Sequence, residues 1–384
     1  MKLKPNKIFI YPALILFFNV FSCKADTPEK SENKVSQIQD TSVSIETEIF
    51  VENLYVPWSI VFTDKDRMLV TERNGKLRAI LNGKLQEKPV KIFEDVSSGG
   101  EEGLMGLTLD PDYQNNNLLY VSYAYDNGDI LNVKVVRYKD EGDNLSGEKI
   151  IIDGIPAEKY HAGCRIKFGP DGKLYITTGD AGERNLAQDK NNLYGKILRI
   201  NSDGTIPSDN PFPENPVWSF GHRNPQGIDW FPGTDIMYST EHGPSGFDGP
   251  GGGDEVNIIE KGGNYGWPVV SHKNSRDGMI SPALEFTPAI APASGLFYKS
   301  DSIPGYKNNF FFGCLRGRGI VRVVVNENNP REIVSFEKAD LSRIGRIRDI
   351  AEGPDGAIYF STSNRDGRGT EKDGDDKIYR IIKK

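Results

Sequence analysis

The sequence predicts an all-β protein built as a six-bladed β-propeller. A strand-rich segment recurs six times, most copies are followed by a second alternating segment, and convincing amphipathic helices are scarce. Repeated strand units without intervening helices are typical of propellers, in which each repeat forms one four-stranded blade. A seven-bladed propeller or a pair of β-sandwiches is the alternative that these repeats leave open.

Each copy of the repeat has a turn rich in Gly, Asp or Asn, then a short apolar run, usually with an aromatic residue, then a polar turn. The equivalent positions are Leu69, Tyr120, Tyr175, Tyr238, Phe312 and Tyr359. Their separations of 51, 55, 63, 74 and 47 residues exceed the ~40–45 residues of a bare blade and leave room for long loops. The second segments alternate as half-buried strands do. Examples are residues 77–81, 134–138, 196–200, 321–325 and 377–381.

The predicted propeller domain spans residues 46–384. Its first segment, residues 46–51 (ETEIFV), resembles a strand and precedes the first repeat. A strand in this position can complete the last blade, which joins the two ends of the ring and protects their edges. We therefore expect residues 46–51 to pair with the end of the chain.

The segment before this domain has the composition of an export signal. Lysines near the start are followed by an apolar run over residues 8–21 and then by Cys23. Residues 1–23 therefore read as a secretory signal that resembles the lipobox of bacterial lipoproteins, with an ordinary cleaved signal as the alternative. Residues 24–45 are polar and predict a flexible tether. We expect an exported protein, acylated on Cys23 and held at a bacterial membrane by lipid alone, facing the periplasm or the cell exterior.

Charge and cysteine content exclude other classes. The net charge of −7 argues against a nucleic-acid partner, because phosphate binding needs a basic face. Three cysteines in 384 residues cannot form a disulfide scaffold. Apart from Cys23, the default expectation for Cys164 and Cys314 is two buried, unpaired thiols.

Propellers bind ligands on loops at one face, near the central channel. The least ordinary segments of this sequence follow the repeat strands, where such loops are expected. They are GGEEG (99–103), YHAGCR (160–165), GHRNPQG (221–227), EHGP (241–244), GGDEVN (252–257), LRGRG (315–319) and RIRD (346–349).

Histidines and acidic residues in these segments are candidates for chemistry. His161, His222 and His242 lie beside glycines and charged residues, and each is either functional or a hydrogen-bonded structural histidine. HxH and HExxH spacings are absent, so a zinc site has no local support. The acidic residues between Asp248 and Glu255 suit a hard cation such as calcium, with a solvated acidic turn as the alternative.

Arginines form the second candidate group: Arg223, Arg316, Arg318, Arg346 and Arg348. A guanidinium can hold a carboxylate through two hydrogen bonds, so several arginines on one face would suit a polyanionic small molecule. The alternative is surface ion pairing with the 54 acidic residues of the chain.

Three motifs together resemble the glucose/sorbosone dehydrogenase family, the sugar dehydrogenases that use pyrroloquinoline quinone (PQQ). They are GHRNPQG (221–227), EHGP (241–244) followed by GDEVN (253–257), and KGGNYGWP (261–268). The resemblance runs from about Leu54 to Ile382 with the motifs in the same order. The three motifs together are specific to this family, whereas any one of them alone would be weak. The resemblance implies a six-bladed propeller, in agreement with the repeats.

The resemblance also implies roles for individual residues. His161, in a His-x-Gly-x-Arg segment, matches the catalytic base of the family. Arg223 and Asn224 match the pair that contacts the quinone carbonyl and its neighbours. Arg346 and Arg348 match the arginines beside the carboxylates of the cofactor.

Two sets of residues match calcium positions of the family. Gly243 and Pro244 match the residues whose main-chain carbonyls hold the calcium ion that bridges to the cofactor. Asp254, Glu255 and Tyr265 match the region that binds a structural calcium ion in the glucose enzymes.

Three positions depart from the soluble glucose enzymes. At two cofactor-binding positions, Glu101 replaces Gln and Arg316 replaces Lys. Tyr160 replaces the Asp that precedes the base, so we expect His161 to lack a carboxylate that could orient it. Arg316 keeps a positive charge for a carboxylate, whereas Glu101 and Tyr160 bear on the substrate and the rate more than on cofactor binding.

The resemblance thus implies a PQQ- and calcium-dependent enzyme that oxidises the anomeric hydroxyl of an aldose to a lactone and passes electrons to an unidentified acceptor. Two other classes stay open. A calcium-dependent lactonase would need no arginine cluster, and the arginines weigh against it. A non-catalytic binding or scaffold propeller is kept open by Glu101 and Tyr160.

Overall fold

The computed structural model of the protein describes residues 45–128 and 130–382. Within these residues the strands form six separate sheets, which are the blades of a propeller. The predicted signal peptide, with Cys23, and the predicted tether up to residue 44 lie outside the described residues. None of the described helices is long and apolar enough to span a membrane.

The blades follow one another along the chain, except that the first strand, β1 (Glu46–Val51), belongs to the last blade. Blade 1 contains β2 (Pro57–Phe62), β3 (Arg67–Glu72), β4 (Lys76–Leu81), β5 (Lys84–Leu85) and β6 (Lys91–Ile92). Blade 2 contains β7 (Leu104–Leu109), β8 (Leu118–Asp126), β9 (Leu131–Asp140) and β10 (Leu145–Pro156). Blade 3 contains β11 (Ile166–Phe168), β12 (Leu174–Thr178), β13 (Lys196–Ile200) and β14 (Val217–Phe220).

The second half of the ring is built in the same way. Blade 4 contains β15 (Pro225–Trp230), β16 (Met237–Glu241), β17 (Asp254–Ile259) and β18 (Leu284–Phe286). Blade 5 contains β19 (Pro292–Phe297), β20 (Phe310–Cys314), β21 (Gly319–Val325) and β22 (Ile333–Asp340). Blade 6 contains β23 (Ile347–Glu352), β24 (Ile358–Thr362), β25 (Ile378–Ile382) and β1.

The structure confirms the predicted six-bladed architecture. The six repeat positions all fall on the second strand of a blade, namely on β3, β8, β12, β16, β20 and β24. The predicted closure is also correct, because β1 pairs antiparallel with β25, with Glu46 opposite Ile382. Helices in the described chain are limited to one α-helical turn (Tyr113–Asn116) and one 3-10 turn (Arg184–Gln188), as the scarcity of amphipathic patterns predicted.

Apolar side chains between neighbouring blades form the core. One cluster joins the first three blades through Trp58, Tyr120 and Leu174, which are at most 1% exposed. Because the sheets pack on each other face to face, the ring is a rigid frame for the loops at its ends. Cys164 and Cys314 are buried free thiols, as expected.

A buried ion pair crosses the central channel. Arg165, directly before β11, places Nη1 3.1 Å from Oδ1 of Asp349 on β23, on the opposite side of the ring. The same guanidinium donates to Ser59 Oγ at 3.1 Å and lies 4.1 Å from the ring centre of Trp58. These contacts tie blades 1, 3 and 6 together beneath the loops.

Three of the segments that the sequence analysis assigned to loops are strand over three or more residues. Residues 225–227 belong to β15, residues 254–257 to β17 and residues 347–349 to β23. Their polar side chains suggested that these segments are exposed to solvent. Several of these side chains are instead buried and form hydrogen bonds with the main chain of neighbouring segments. Asp349, for example, accepts a hydrogen bond from the Ile60 N–H at 2.7 Å.

Candidate functional site

A cavity of about 1070 Å³ opens at one end of the ring. Many of its walls come from segments that precede the first strand of a blade or follow the second strand. Because these strands are antiparallel neighbours, both kinds of segment lie at the same end of the blade. Motifs that are far apart in sequence therefore meet here.

The structure brings most of the predicted site residues to this cavity. Those that line it are Glu101, His161, Arg223, Gly243, Pro244, Asp254, Arg316, Arg346 and Arg348. Asn224 is fully buried and does not line the cavity. Glu255 and Tyr265 border a narrow neighbouring pocket instead.

His161 is held in one orientation at the cavity wall. Its Nδ1 lies 2.7 Å from Asp180 Oδ1, and its main-chain N–H donates to Glu101 Oε2 at 3.2 Å. When the Asp180 carboxylate accepts the Nδ1 proton, Nε2 is the nitrogen that keeps a lone pair. No hydrogen bond from residues 45–128 or 130–382 reaches Nε2, so this nitrogen can accept a proton.

A glycine contact fixes the backbone at His161. The residue adopts a left-handed conformation with φ of 52°, which is uncommon for a side chain of this size. A Cβ atom on Gly179 would lie 1.8 Å from the His161 carbonyl oxygen, so only glycine allows this approach. Gly179 thereby lets the segment that carries Asp180 pack directly against the His161 backbone.

The expectation that His161 lacks an orienting carboxylate is wrong. Asp180, two residues after β12, supplies one although Tyr160 occupies the preceding position. Asp180 is 1% exposed, and its Oδ2 accepts a hydrogen bond from Trp267 Nε1 at 2.8 Å. Tyr160 instead sets its ring edge-on to the imidazole, with 5.0 Å between ring centres.

Glu101 forms an ion pair at the cavity. Its Oε1 lies 2.5 Å from Nη1 of Arg368, whose side chain is 64% exposed. Burial alone would raise the pKa of Glu101, but attraction to Arg368 and to neighbouring His242 and His161 outweighs it, so the pKa lies below its usual value. Glu101 is therefore a carboxylate at neutral pH.

Arg223 is buried, and each nitrogen of its guanidinium donates to a protein acceptor. Nε donates to Asp248 Oδ2 at 2.8 Å, and Nη2 donates to Ser245 Oγ at 2.9 Å. Nη1 donates to the His242 carbonyl at 3.3 Å. Asn224, the next residue, accepts from Gln226 through Oδ1, whereas its buried Nδ2 has no partner.

Three further arginines give the cavity its positive charge. Arg346 binds Asp366 through Nε at 2.7 Å, and Arg316 is exposed. Arg348 is 6% exposed and donates through Nη1 to Gln226 Oε1 at 3.2 Å, while its Nε has no partner. Burial lowers the pKa of Arg348 to about 10, which still leaves it charged at neutral pH.

The predicted bridging-calcium residues lie at the cavity with Asp254 behind them. The Pro244 carbonyl accepts the Gly252 N–H at 3.2 Å. Asp254 accepts three main-chain N–H bonds, one of them from Gly243 at 2.8 Å. No group of three or more His, Cys, Asp or Glu side chains converges as a metal site within the described chain. A cation here would rely on main-chain oxygens.

The second predicted metal region is an oxygen-rich cluster behind the wall. Burial, and then repulsion from Glu241, raises the pKa of Glu255 well above its usual value. Asn257 Oδ1 nearby is buried without a donor. The Tyr265 hydroxyl, however, already donates to the Ile258 carbonyl at 2.6 Å and accepts the Glu260 N–H at 2.8 Å.

The other two candidate histidines differ from His161. His222 is fully buried, with Nε2 bonded to Ser219 and Nδ1 to Glu241, so it is structural. His242 lines the cavity, and burial lowers its pKa well below the usual range. Its Nε2 lies 2.9 Å from the Pro292 carbonyl and donates to it.

Sequence reasoning missed several residues of the site. They are Arg73, Asp180, Trp267, Arg365 and Arg368. Asp180 lies in the turn after the apolar run of the third repeat, 19 residues from His161. In a propeller blade the first two strands are antiparallel, so the segment before β11, with His161, and the segment after β12, with Asp180, lie at the same end. This relationship could have identified Asp180 from the sequence.

The fold and the cavity together define a six-bladed propeller with a loop-lined cavity that contains His161 and several arginines. The chain belongs to the glucose/sorbosone dehydrogenase family, whose sequence profile matches residues 54–380. The chain is 32% identical to the aldose sugar dehydrogenase YliI of Escherichia coli, with 84% of this chain and 91% of the relative covered. It is 31% identical to quinoprotein glucose dehydrogenase B of Acinetobacter calcoaceticus, with 87% and 88% covered.

Solved structures agree with this assignment. The PQQ-bound form of an aldose sugar dehydrogenase from Streptomyces coelicolor matches with a TM-score of 0.77 and 29% identity, over 90% of this chain and 99% of that one. The family membership predicted from the three motifs is therefore confirmed.

Proposed function

We propose that the protein is a quinoprotein that oxidises the anomeric hydroxyl of aldose sugars to lactones with PQQ as hydride acceptor. The observation that carries this proposal is the His161–Asp180 pair at 2.7 Å, set in a cavity lined by Arg223, Arg346 and Arg348. A base with an orienting carboxylate serves proton abstraction, and the arginines serve a polyanionic cofactor.

The unsatisfied donors of the site support a cofactor rich in acceptors. Buried Arg348 Nε and Asn224 Nδ2 have no hydrogen-bond partner, and a buried donor without a partner costs stability. PQQ offers three carboxylates and quinone carbonyls, which are acceptors only. Arg316, Arg346 and Arg348 would hold the carboxylates, and Arg223 would face the quinone, with Asn224 buried next to it in the chain. The volume of about 1070 Å³ suits a cofactor together with a sugar.

The residues of the chain would then act as follows. His161 Nε2 takes the proton of the anomeric hydroxyl, and the Asp180 side chain bonded to Nδ1 stabilises the imidazolium that results. Arg223, fixed by Asp248 and Ser245, keeps its positive charge in place without reorganisation as negative charge grows on a bound acceptor. PQQ, when bound, supplies the electrophilic quinone that accepts hydride from the sugar carbon.

Calcium is the second proposed cofactor. Gly243 and Pro244 line the cavity, and main-chain carbonyls are hard oxygen donors of the kind calcium prefers. A second ion would bind Glu255, since its raised pKa and the unpaired Asn257 oxygen nearby indicate a need for positive charge. Tyr265 and Asp254 would support these ions from the second layer, because their polar atoms already have protein partners.

The location of the protein is a separate proposal that rests on the sequence alone. We propose an exported lipoprotein, acylated on Cys23 and tethered by residues 24–45, that passes electrons to an acceptor outside the cytoplasm. Acylation supplies several chains, which suffices for stable anchoring. Cys23→Ser should move the protein from the detergent phase to the aqueous phase in a phase-partition assay. A wild-type protein that is already aqueous would overturn this.

Reconstitution tests the proposed function. Purified protein is incubated with PQQ and calcium and screened for dye reduction across neutral aldoses, with His161→Ala as the inactive reference and His272→Ala as a matched control outside the cavity. We expect turnover in the wild type and in His272→Ala only. Lactone hydrolysis without dye reduction would favour the lactonase alternative, and neither activity would favour a binding propeller.

A further inference from the structure

Arg73 is a buried arginine whose Nε has no hydrogen-bond partner within the described residues. It follows β3 directly, is 7% exposed and lines the cavity. Its Nε has no hydrogen-bond partner, and no carboxylate of the described chain lies within 4.0 Å of its guanidinium as an ion pair. A buried charge in this state is costly unless a ligand supplies the counter-charge.

Four of the six other arginines that line the cavity form ion pairs, whereas Arg316 is exposed to solvent. Each of four neighbours has at least one protein acceptor or ion-pair partner, namely Arg223 with Asp248, Arg346 with Asp366, Arg365 with Glu371 and Arg368 with Glu101. Among the buried arginines of the cavity, Arg73 and Arg348 each have an Nε without a hydrogen-bond partner in the described chain.

Arg73 and Arg348 line the same cavity from neighbouring blades, with Arg73 directly after β3 of blade 1 and Arg348 on β23 of blade 6. The charge of Arg73 contributes to lowering the pKa of Arg348, although burial contributes most. Glu102 is attracted to Arg73, but its carboxylate forms no ion pair or hydrogen bond with the Arg73 guanidinium. One of its oxygens accepts the Gly99 N–H at 2.6 Å, the other is buried without a donor, and burial raises its pKa. The wall between blades 6 and 1 therefore carries two buried guanidiniums with free donors.

We infer that Arg73 and Arg348 together bind one carboxylate group of a ligand from two sides. Two guanidiniums that converge on a carboxylate satisfy its four lone-pair positions and remove their mutual repulsion. Arg73 is thus a binding residue of the cavity, additional to the arginines that the motifs indicated.

Two ligands carry such a carboxylate, and the inference holds for either. One is PQQ, in which case it rests on the proposed function. The other is an acidic sugar such as a uronate, which would make Arg73 a determinant of substrate class. The two sources are separated by measuring each ligand on its own.

The test uses the full chain purified without added cofactor, together with Arg73→Met and the control Arg322→Met. Arg322 is fully partnered by Asn309, Glu337 and Gly305 far from the cavity. Calorimetry gives dissociation constants for PQQ with calcium and, separately, for D-galacturonate, with D-galactose as the neutral reference. If Arg73→Met does not fold by circular dichroism, Arg73→Gln replaces it under the same criteria.

We expect Arg73→Met to weaken PQQ or galacturonate binding at least about tenfold, as for loss of a charged hydrogen bond, while Arg322→Met binds as the wild type. We also expect the ligand-free Arg73→Met protein to melt no lower than the wild type. Less than tenfold weakening for both ligands, or a melting temperature that falls as far as in Arg322→Met, overturns the inference. A wild type that binds galacturonate through Arg73 but not PQQ contradicts the proposed function alone, and a wild type that binds neither contradicts both.

Discussion

His161 Nδ1 and Asp180 Oδ1 lie 2.7 Å apart at the wall of the propeller cavity. Asp180 is fixed in turn by Trp267, which donates to its other oxygen at 2.8 Å. A carboxylate held on both oxygens cannot rotate freely, so it fixes both the ring orientation and the tautomer of the histidine. This arrangement leaves one imidazole nitrogen for proton transfer. Asp180 also supplies the orienting carboxylate that is absent from position 160, where the chain has Tyr.

Replacement of the base should separate catalysis from cofactor binding. We expect His161→Ala to lower kcat by roughly 10²–10⁴, the usual contribution of a positioned base, and to leave the PQQ dissociation constant nearly unchanged. The cofactor would be held by arginines on other loops. Steady-state kinetics and calorimetry measure the two effects. Near-wild-type turnover with weakened cofactor binding would make His161 a binding residue, with Glu101 the next candidate base.

Asp180→Asn should impair the same step through the histidine. An amide keeps the size of the side chain, but it cannot accept from both His161 Nδ1–H and Trp267 Nε1–H. We expect kcat to fall by about 10²–10⁴ because the wrong tautomer is favoured, with KM for the sugar little changed. Asp171→Asn, in the same blade but at the surface, is the matched control. Equal kinetics in the two variants would show that Asp180 does not orient the base.

The Glu101–Arg368 pair should contribute pH-dependent stability. The pKa of Glu101 is lowered in the folded protein, so its stabilising effect is complete above the pKa of an unfolded Glu, about 4.3, and is lost as pH falls through the lower folded value. We therefore expect the melting temperature of the wild type to exceed that of Glu101→Gln at pH ~7 and to converge with it below pH ~4. A difference that does not depend on pH would contradict this assignment.

The ion pair across the channel should matter more than any surface pair. Asp349→Asn leaves Arg165 buried without a counter-charge, and we expect the free energy of unfolding in urea to fall by roughly 3–5 kcal/mol. Asp301→Asn removes the surface ion pair with Lys307, in which the side chains of Lys307 and Asp301 are 47% and 80% exposed, and should change the free energy of unfolding far less. Similar losses in the two variants would mean that the channel pair does not brace the ring.

Much of the fold could be predicted because its signals are local. Apolar alternation around Leu69 or Tyr359 fixes a strand without reference to the rest of the chain, and repetition of that unit gives the number of blades. The closing strand was predictable for the same reason. Residues 46–51 resemble a strand but precede the first repeat, so the last blade is the place left for them. Polar strands were harder to predict. Asp254 on β17 resembled a loop residue because its carboxylate bonds with main-chain N–H groups rather than with solvent.

The site was predictable only in part. The motifs indicated His161 and Arg348, which line the cavity, but not the contacts between distant segments that determine what each residue does. Arg368 is 267 residues from Glu101, and no spacing rule joins them. Arg73 gave no signal at all, because the absence of a partner becomes visible only when its surroundings are known.

Binding of the cofactor tests the central claim most directly. Calorimetric titration of PQQ into the purified protein should show saturable binding in the presence of calcium, and chelation of calcium should weaken it at least about tenfold, since the carbonyls of Gly243 and Pro244 would lose the ion that links them to the cofactor. Absence of binding heat both with and without calcium would contradict the quinoprotein account and favour a propeller that binds some other ligand in this cavity.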